Sequence, residues 1–167
     1  MVNAVPMPRY GGRGCRMMAV SQGVGTAIVD VLVTYTNSDG VPGRQVTATL
    51  NLAAPAGTLA SSSLAGAAAA APCGPYLGLA AGDTGVLSVE QIEPLAAGGG
   101  IFALVIVKPL LDFGMHEATV APIEVDCLAD RSLMLPELEP GAHLALIAQG
   151  TTTASPALTA QIETIWG

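Results

Sequence analysis

The stretch IVDVLVTYTNSDGVPGRQVTATLNL, residues 28–52, decides how this chain is read. Its first part, Ile28 to Tyr35, is rich in β-branched residues, which suit a pleated and half-buried surface. Successive strand side chains point to opposite faces, so Val29, Val31, Val33 and Tyr35 share one of them. Residues 37–43, Asn-Ser-Asp-Gly-Val-Pro-Gly, are dense in turn formers. Beyond them Val46, Ala48, Leu50 and Leu52 alternate with Gln45, Thr47, Thr49 and Asn51. Period-two alternation on both sides of a turn predicts an antiparallel hairpin with one apolar and one wet face.

Working outward, a second strand pair is expected from Val86 to Leu95 and from Ile101 to Val107, joined by Ala96-Ala97-Gly98-Gly99-Gly100. The later strand is apolar on both faces, which places it centrally or beneath a partner. The glycine run is read as a hairpin loop, because phosphate-cradling loops lie between a strand and a helix and here a strand follows. Short strands are also expected at 119–125, 143–148 and 158–166, punctuated by Pro122, Pro136, Pro140, Gly141, Gly150 and Pro156. At most one short helix fits, Leu64 to Ala71, capped by Ser61-Ser62-Ser63 and stopped by Pro72. The expected fold class is therefore all-β: an antiparallel sandwich or barrel, with the jelly roll among its forms.

Residues 1–25 contain Pro6, Pro8, Gly11, Gly12, Gly14, Gly23 and Gly25 without apolar periodicity, so they are read as an extended N-terminal arm. Residues 26–167 are read as a single β-rich domain, and a compact domain of this size buries roughly 70% of the surface its unfolded chain exposes. The arm carries Arg9, Arg13 and Arg16 and no acid, whereas the rest holds three basic residues and all 13 acids. An acidic body argues against direct nucleic-acid binding, which needs clustered Lys and Arg. No apolar run is long enough for a membrane helix, and Arg16-Met17-Met18-Ala19-Val20 leads into Gln22 and Gly23 rather than the apolar core of an export signal. Charged residues make up 11% of the chain, well below the usual ~25%, so much of the surface is expected to be covered by partners.

Candidate chemistry is sparse. Cys15, Cys73 and Cys127 are odd in number and widely spaced, which fits neither a disulfide framework nor a zinc site. His116 and His143 form no metal-spaced pair, and the acids around Asp126, Asp130, Glu137 and Glu139 lack a calcium-loop pattern. Asp83-Thr84-Gly85 is the tripeptide that carries the catalytic aspartate of aspartic proteases, where two such loops share a proton. In that family a buried apolar strand precedes the aspartate and a small residue follows the glycine. Here Ala80-Ala81-Gly82 precedes and Val86 follows. The reading adopted is a turn, with Gly82 and Gly85 free to take positive φ and Asp83 bonded to backbone two residues ahead. No catalytic residue, cofactor site or metal site is assigned, and the protein is not expected to be an enzyme.

Gly82-Asp83-Thr84-Gly85-Val86, followed by Ser88-Val89 and Ile92, a Gly-rich turn, and an apolar strand closing on Lys108-Pro109-Leu110, resembles virion structural proteins of tailed phages, in particular head decoration (cement) proteins. The resemblance implies a small β-rich subunit, often a homotrimer, made in the host cytoplasm and bound to the outside of the capsid. There it would bridge and stabilise neighbouring copies of the major capsid protein. It carries over no catalytic residues. On this reading the arm residues Arg9, Tyr10, Arg13 and Arg16 dock on neighbouring subunits, Leu111 and Phe113 continue into an interface, and Trp166, on a final edge strand, is a contact anchor. The alternatives are another virion component, of the tail or of head completion, and a dimeric aspartic protease using Asp83.

Overall fold

The hairpin is present where the alternation places it. In the computed structural model, which describes residues 10–23, 25, 28–53, 55–60, 75–96, 99–110, 138 and 140–147, five strands are seen. They are β1 (Arg16–Ser21), β2 (Ile28–Asn37), β3 (Arg44–Asn51), β4 (Val86–Pro94) and β5 (Phe102–Val107). Strands β2 and β3 pair antiparallel from Ile28 opposite Asn51 to Tyr35 opposite Arg44. Strand β4 pairs antiparallel with the other edge of β2, giving the order β3-β2-β4, and β1 pairs antiparallel with β5 in a second sheet. The fold is all-β, and the two sheets are not closed into a barrel. The one helical element among the described residues is a 3-10 turn at Tyr10–Gly12.

One apolar core serves both sheets. The inward residues of β2, Val29, Val31, Val33 and Tyr35, are buried with Ala48 and Leu50 of β3, Val86 and Val89 of β4, and Met17 and Ala19 of β1. Phe102, Leu104 and Ile106 of β5 pack against the same cluster. Each large apolar side chain that is fully buried contributes about 1.5–3 kcal/mol, and that burial sets the strand register, because a one-residue slip would turn the whole set to water. Two bulges in β4 let it keep this register: opposite β2 the pairing skips Glu90 between Gln91 and Val89, and Leu87 between Ser88 and Val86.

Three expectations need correction. The stretch read as an arm is built into the body from Tyr10 to Ser21: β1 alternates half-buried and buried residues, and Cys15, Met17, Ala19 and Ser21 are fully buried. Its second edge is also taken up, by Leu77 N–H to Met17 O, Ala60 N–H to Ala19 O and Ser21 N–H to Thr58 O. The sequence carries no polar–apolar alternation here, because Met17 and Ala19 face inward while the equally apolar Met18 and Val20 face outward, and glycines lie on both sides. Residues 1–9 of that arm, Arg9 included, lie outside the described residues.

The second correction is that β4 and β5 are not a hairpin. Each pairs in a different sheet, so the Gly-rich segment between them carries the chain from one sheet to the other. Alternation says which face of a strand is buried and leaves its partner open. Strand β5, expected to lie centrally or beneath a partner, pairs only with β1 among the described residues, and all six of its residues are half-buried.

Third, residues 143–147 form no strand, and Leu144 and Leu146 are exposed. The helix expected at 64–71 and the strands expected at 119–125 and 158–166 lie outside the described residues. Contacts divide the chain into two units, Met1–Leu110 and Leu111–Gly167, and all five strands belong to the first.

The burial of β1 makes a direct test. Met17→Ala is expected to cost about 2–5 kcal/mol of unfolding free energy in urea titrations, whereas Met18→Ala, on the outward face of the same strand, costs clearly less. Equal effects would mean that residues 16–21 are not a core strand.

Candidate functional site

The Asp83-Thr84-Gly85 tripeptide opens β4, and the loop before it is tied to the tip of the β2–β3 hairpin. The loop itself is a tight turn: Asp83 N–H donates to Ala80 O at 3.0 Å, and Gly82 takes a φ of +87°, as expected for a glycine at such a position. Gly85 plays a different part from the one expected. A Cβ there would collide with the carbonyl oxygen of Gly12, so Gly85 permits backbone contact with the 10–14 turn, in which Arg13 forms an antiparallel bridge with Gly85.

The side chain of Asp83 accepts three hydrogen bonds. Tyr35 Oη donates to Oδ2 at 2.6 Å, Arg44 Nε donates to Oδ2 at 2.9 Å, and Asn37 Nδ2 donates to Oδ1 at 2.8 Å. Arg44 also donates through Nη2 to Ala81 O at 3.0 Å, and Ala80 N–H donates to Tyr35 Oη at 2.8 Å. The hairpin register explains the convergence. Tyr35 and Arg44 are directly opposite one another, and Asn37 lies two residues along β2 on the same inward face. The Asx-type turn assigned by expectation to Asp83 is instead made by Asn37, whose Oδ1 accepts from the backbone N–H groups of Asp39 and Val41 at 3.0 and 2.9 Å.

Electrostatics follow from this geometry. The Asp83 side chain is only 4% exposed, and the Arg44 guanidinium, with the Tyr35 hydroxyl and the Asn37 amide, lowers its carboxyl pKa from 3.8 to about 2. Burial raises the Tyr35 pKa, and the bond to Asp83 raises it further, so the phenol stays a proton donor. Arg44 is raised by the same carboxylate. An aspartic-protease dyad works because two neighbouring carboxylates cannot both ionise. Asp83 has the opposite environment, ionised beside a fixed cation with both oxygens engaged. It anchors a loop.

The residues assigned to interaction are distributed as follows. Tyr10 sits in the 3-10 turn with a φ of +59°, Arg13 is exposed, and Arg16 opens β1 opposite Val107. Lys108, which was not among the residues assigned from the sequence, joins them: its Nζ donates to Arg13 O at 2.6 Å and lies 5.4 Å from the centre of the Tyr10 ring. No sequence signal marks it, because it reaches Arg13 only through the antiparallel pairing of β1 with β5, which brings the end of one strand to the start of the other. Leu111, Phe113 and Trp166 lie outside the described residues. His143 is exposed, Cys15 is buried, and among the described residues no group of three or more His, Cys, Asp or Glu is placed to hold a metal ion.

The anchor predicts an acid-labile fold. A carboxyl whose pKa is depressed on folding stabilises the native state above its unfolded value, and that contribution disappears as the pH falls from about 4 to about 2. Asp83→Asn should therefore lower stability at neutral pH and flatten this part of the acid denaturation curve, and an unchanged curve would rule the anchor out. Tyr35→Phe, which takes a donor from Asp83 and the acceptor from Ala80 N–H, should cost about 1–3 kcal/mol in chemical denaturation.

No protein family, curated protein or solved structure matches this chain.

Proposed function

We propose that this protein is a structural subunit that decorates the outside of a phage head and bridges major capsid protein subunits. The observation that carries the reading is an apolar end on a body with few charges. Ile28 at the start of β2, Leu95 just after β4 and Ile101 just before β5 are 46%, 53% and 69% exposed. They belong to one end of the body: Leu95 N–H donates to Asp30 O, Ile28 pairs with Asn51, and Gly100 packs against the adjoining Leu52. The Asp83 anchor lies at the other end, where β2 finishes and β3 and β4 begin. Exposed large apolar side chains grouped this way mark an interaction surface. On the proposed reading this end seats on the capsid shell, and low charge suits a surface meant to be covered. The resemblance of residues 82–110 to head decoration proteins supports the same reading, and those residues supply β4 and β5.

The deciding measurement is the position of the chain in a reconstruction of intact particles. It is expected on the outer shell between capsomers, and density confined to the tail or to the head vertex would replace the proposal. Leu95→Asp combined with Ile101→Asp should leave the fold intact and weaken attachment to undecorated heads by about tenfold or more. Unchanged occupancy would remove this end from the interface.

A further inference from the structure

Charge is segregated between the two sheets. The segments that build and flank the β1–β5 sheet, residues 10–23 and 99–110, contain Arg13, Arg16 and Lys108 and no acid. Pairing of Arg16 with Val107 brings all three to one corner, where Lys108 Nζ reaches Arg13 O. The outer face of the three-stranded sheet carries Asp30, Glu90 and Glu93 and no Lys or Arg. Asp30 is held there by Thr49, Glu90 by Thr36, and Glu93 stands opposite Leu32. Arg44, the remaining described base, is turned to the inward side and neutralised by Asp83. Among the described residues that pair is the only salt bridge, so neither the basic corner nor the acidic face is neutralised by such a pair there.

We infer that the basic corner at Arg13, Arg16 and Lys108 docks on the acidic outer sheet face of a second copy of this chain, at Asp30, Glu90 and Glu93. The two surfaces belong to different sheets whose inner sides share one core, so they face away from each other. A contact between unlike surfaces is head-to-tail, and it closes into a ring or continues as a filament. Complementary charge sets the register and partner choice of such a contact. Beside the corner, Met18, Val20, Ala103, Val105 and Val107 line the outer side of the β1–β5 sheet, and each is half-buried. The inference stands apart from the capsid proposal, because it is measured on the isolated protein without capsid.

Sedimentation velocity of the full chain tests it. Association is expected in about 25 mM salt and loss of it in about 500 mM, since attraction between charges at the surface is screened within a few ångströms at the higher strength. Arg13→Glu with Arg16→Glu, and separately Asp30→Lys with Glu93→Lys, should each weaken self-association about tenfold or more while circular dichroism stays unchanged. An equimolar mixture of the two variants is the decisive arm: each then offers the surface that complements the other, and association returns. A wild-type chain that stays monomeric at low salt overturns the inference, as does a mixture that fails to associate. Binding of the wild-type corner to heparin without self-association also overturns it, and assigns the corner to a polyanion.

Discussion

The Asp83 carboxylate is the constraint on which the rest of the first unit depends. Three donors from the hairpin, the Tyr35 phenol, the Asn37 amide and the Arg44 guanidinium, converge on a side chain that is almost entirely covered. Each donor serves a second purpose. Tyr35 fills the core and receives Ala80 N–H, Asn37 shapes the turn between β2 and β3, and Arg44 also holds Ala81 O. A covered carboxylate without these partners would be costly, so the loop and the hairpin tip are held together or released together. Because β4 starts immediately after this loop, the anchor also sets where that strand enters the sheet.

Past the anchor, close backbone packing takes over. Gly85 lies against Gly12, and Gly12 itself has a positive φ and no room for a side chain beside Val86 and Leu87. Thus the segment before β1 is pressed onto the start of β4, and β1 runs from there into the shared core. The turn at 10–14 and the anchor loop form one continuous end of the body, with Lys108 closing it from the β5 side. The opposite end has no comparable polar network among the described residues. Its exposed large apolar side chains are Ile28, Leu95 and Ile101, next to the exposed acids Asp30 and Glu93.

This polarity bears on function. The polar groups of the Asp83 network are satisfied internally, whereas the exposed side chains of Ile28, Leu95 and Ile101 gain from being covered. Segregated charge on the two outer faces adds direction, which a uniform surface lacks. A subunit with an attachment end and unlike sides is suited to sit in an array with defined neighbours, and the proposed place on a capsid exterior would use both features.

Some of this was determined by the sequence alone. The alternation in residues 28–52 and the turn formers between its halves specify a hairpin and its buried face, because strand geometry is local and has a period of two. The all-β class follows from the same local rule. Partner choice is not local. That β4 joins β2 and β5 joins β1, and that Met17 and Ala19 are core residues inside a glycine-rich stretch, was decided by which faces could be buried together. Asp83 shows the division most clearly: the residues around it declare a turn, yet its role comes from Tyr35, Asn37 and Arg44, which lie 39 to 48 positions away and meet it only once the hairpin has folded.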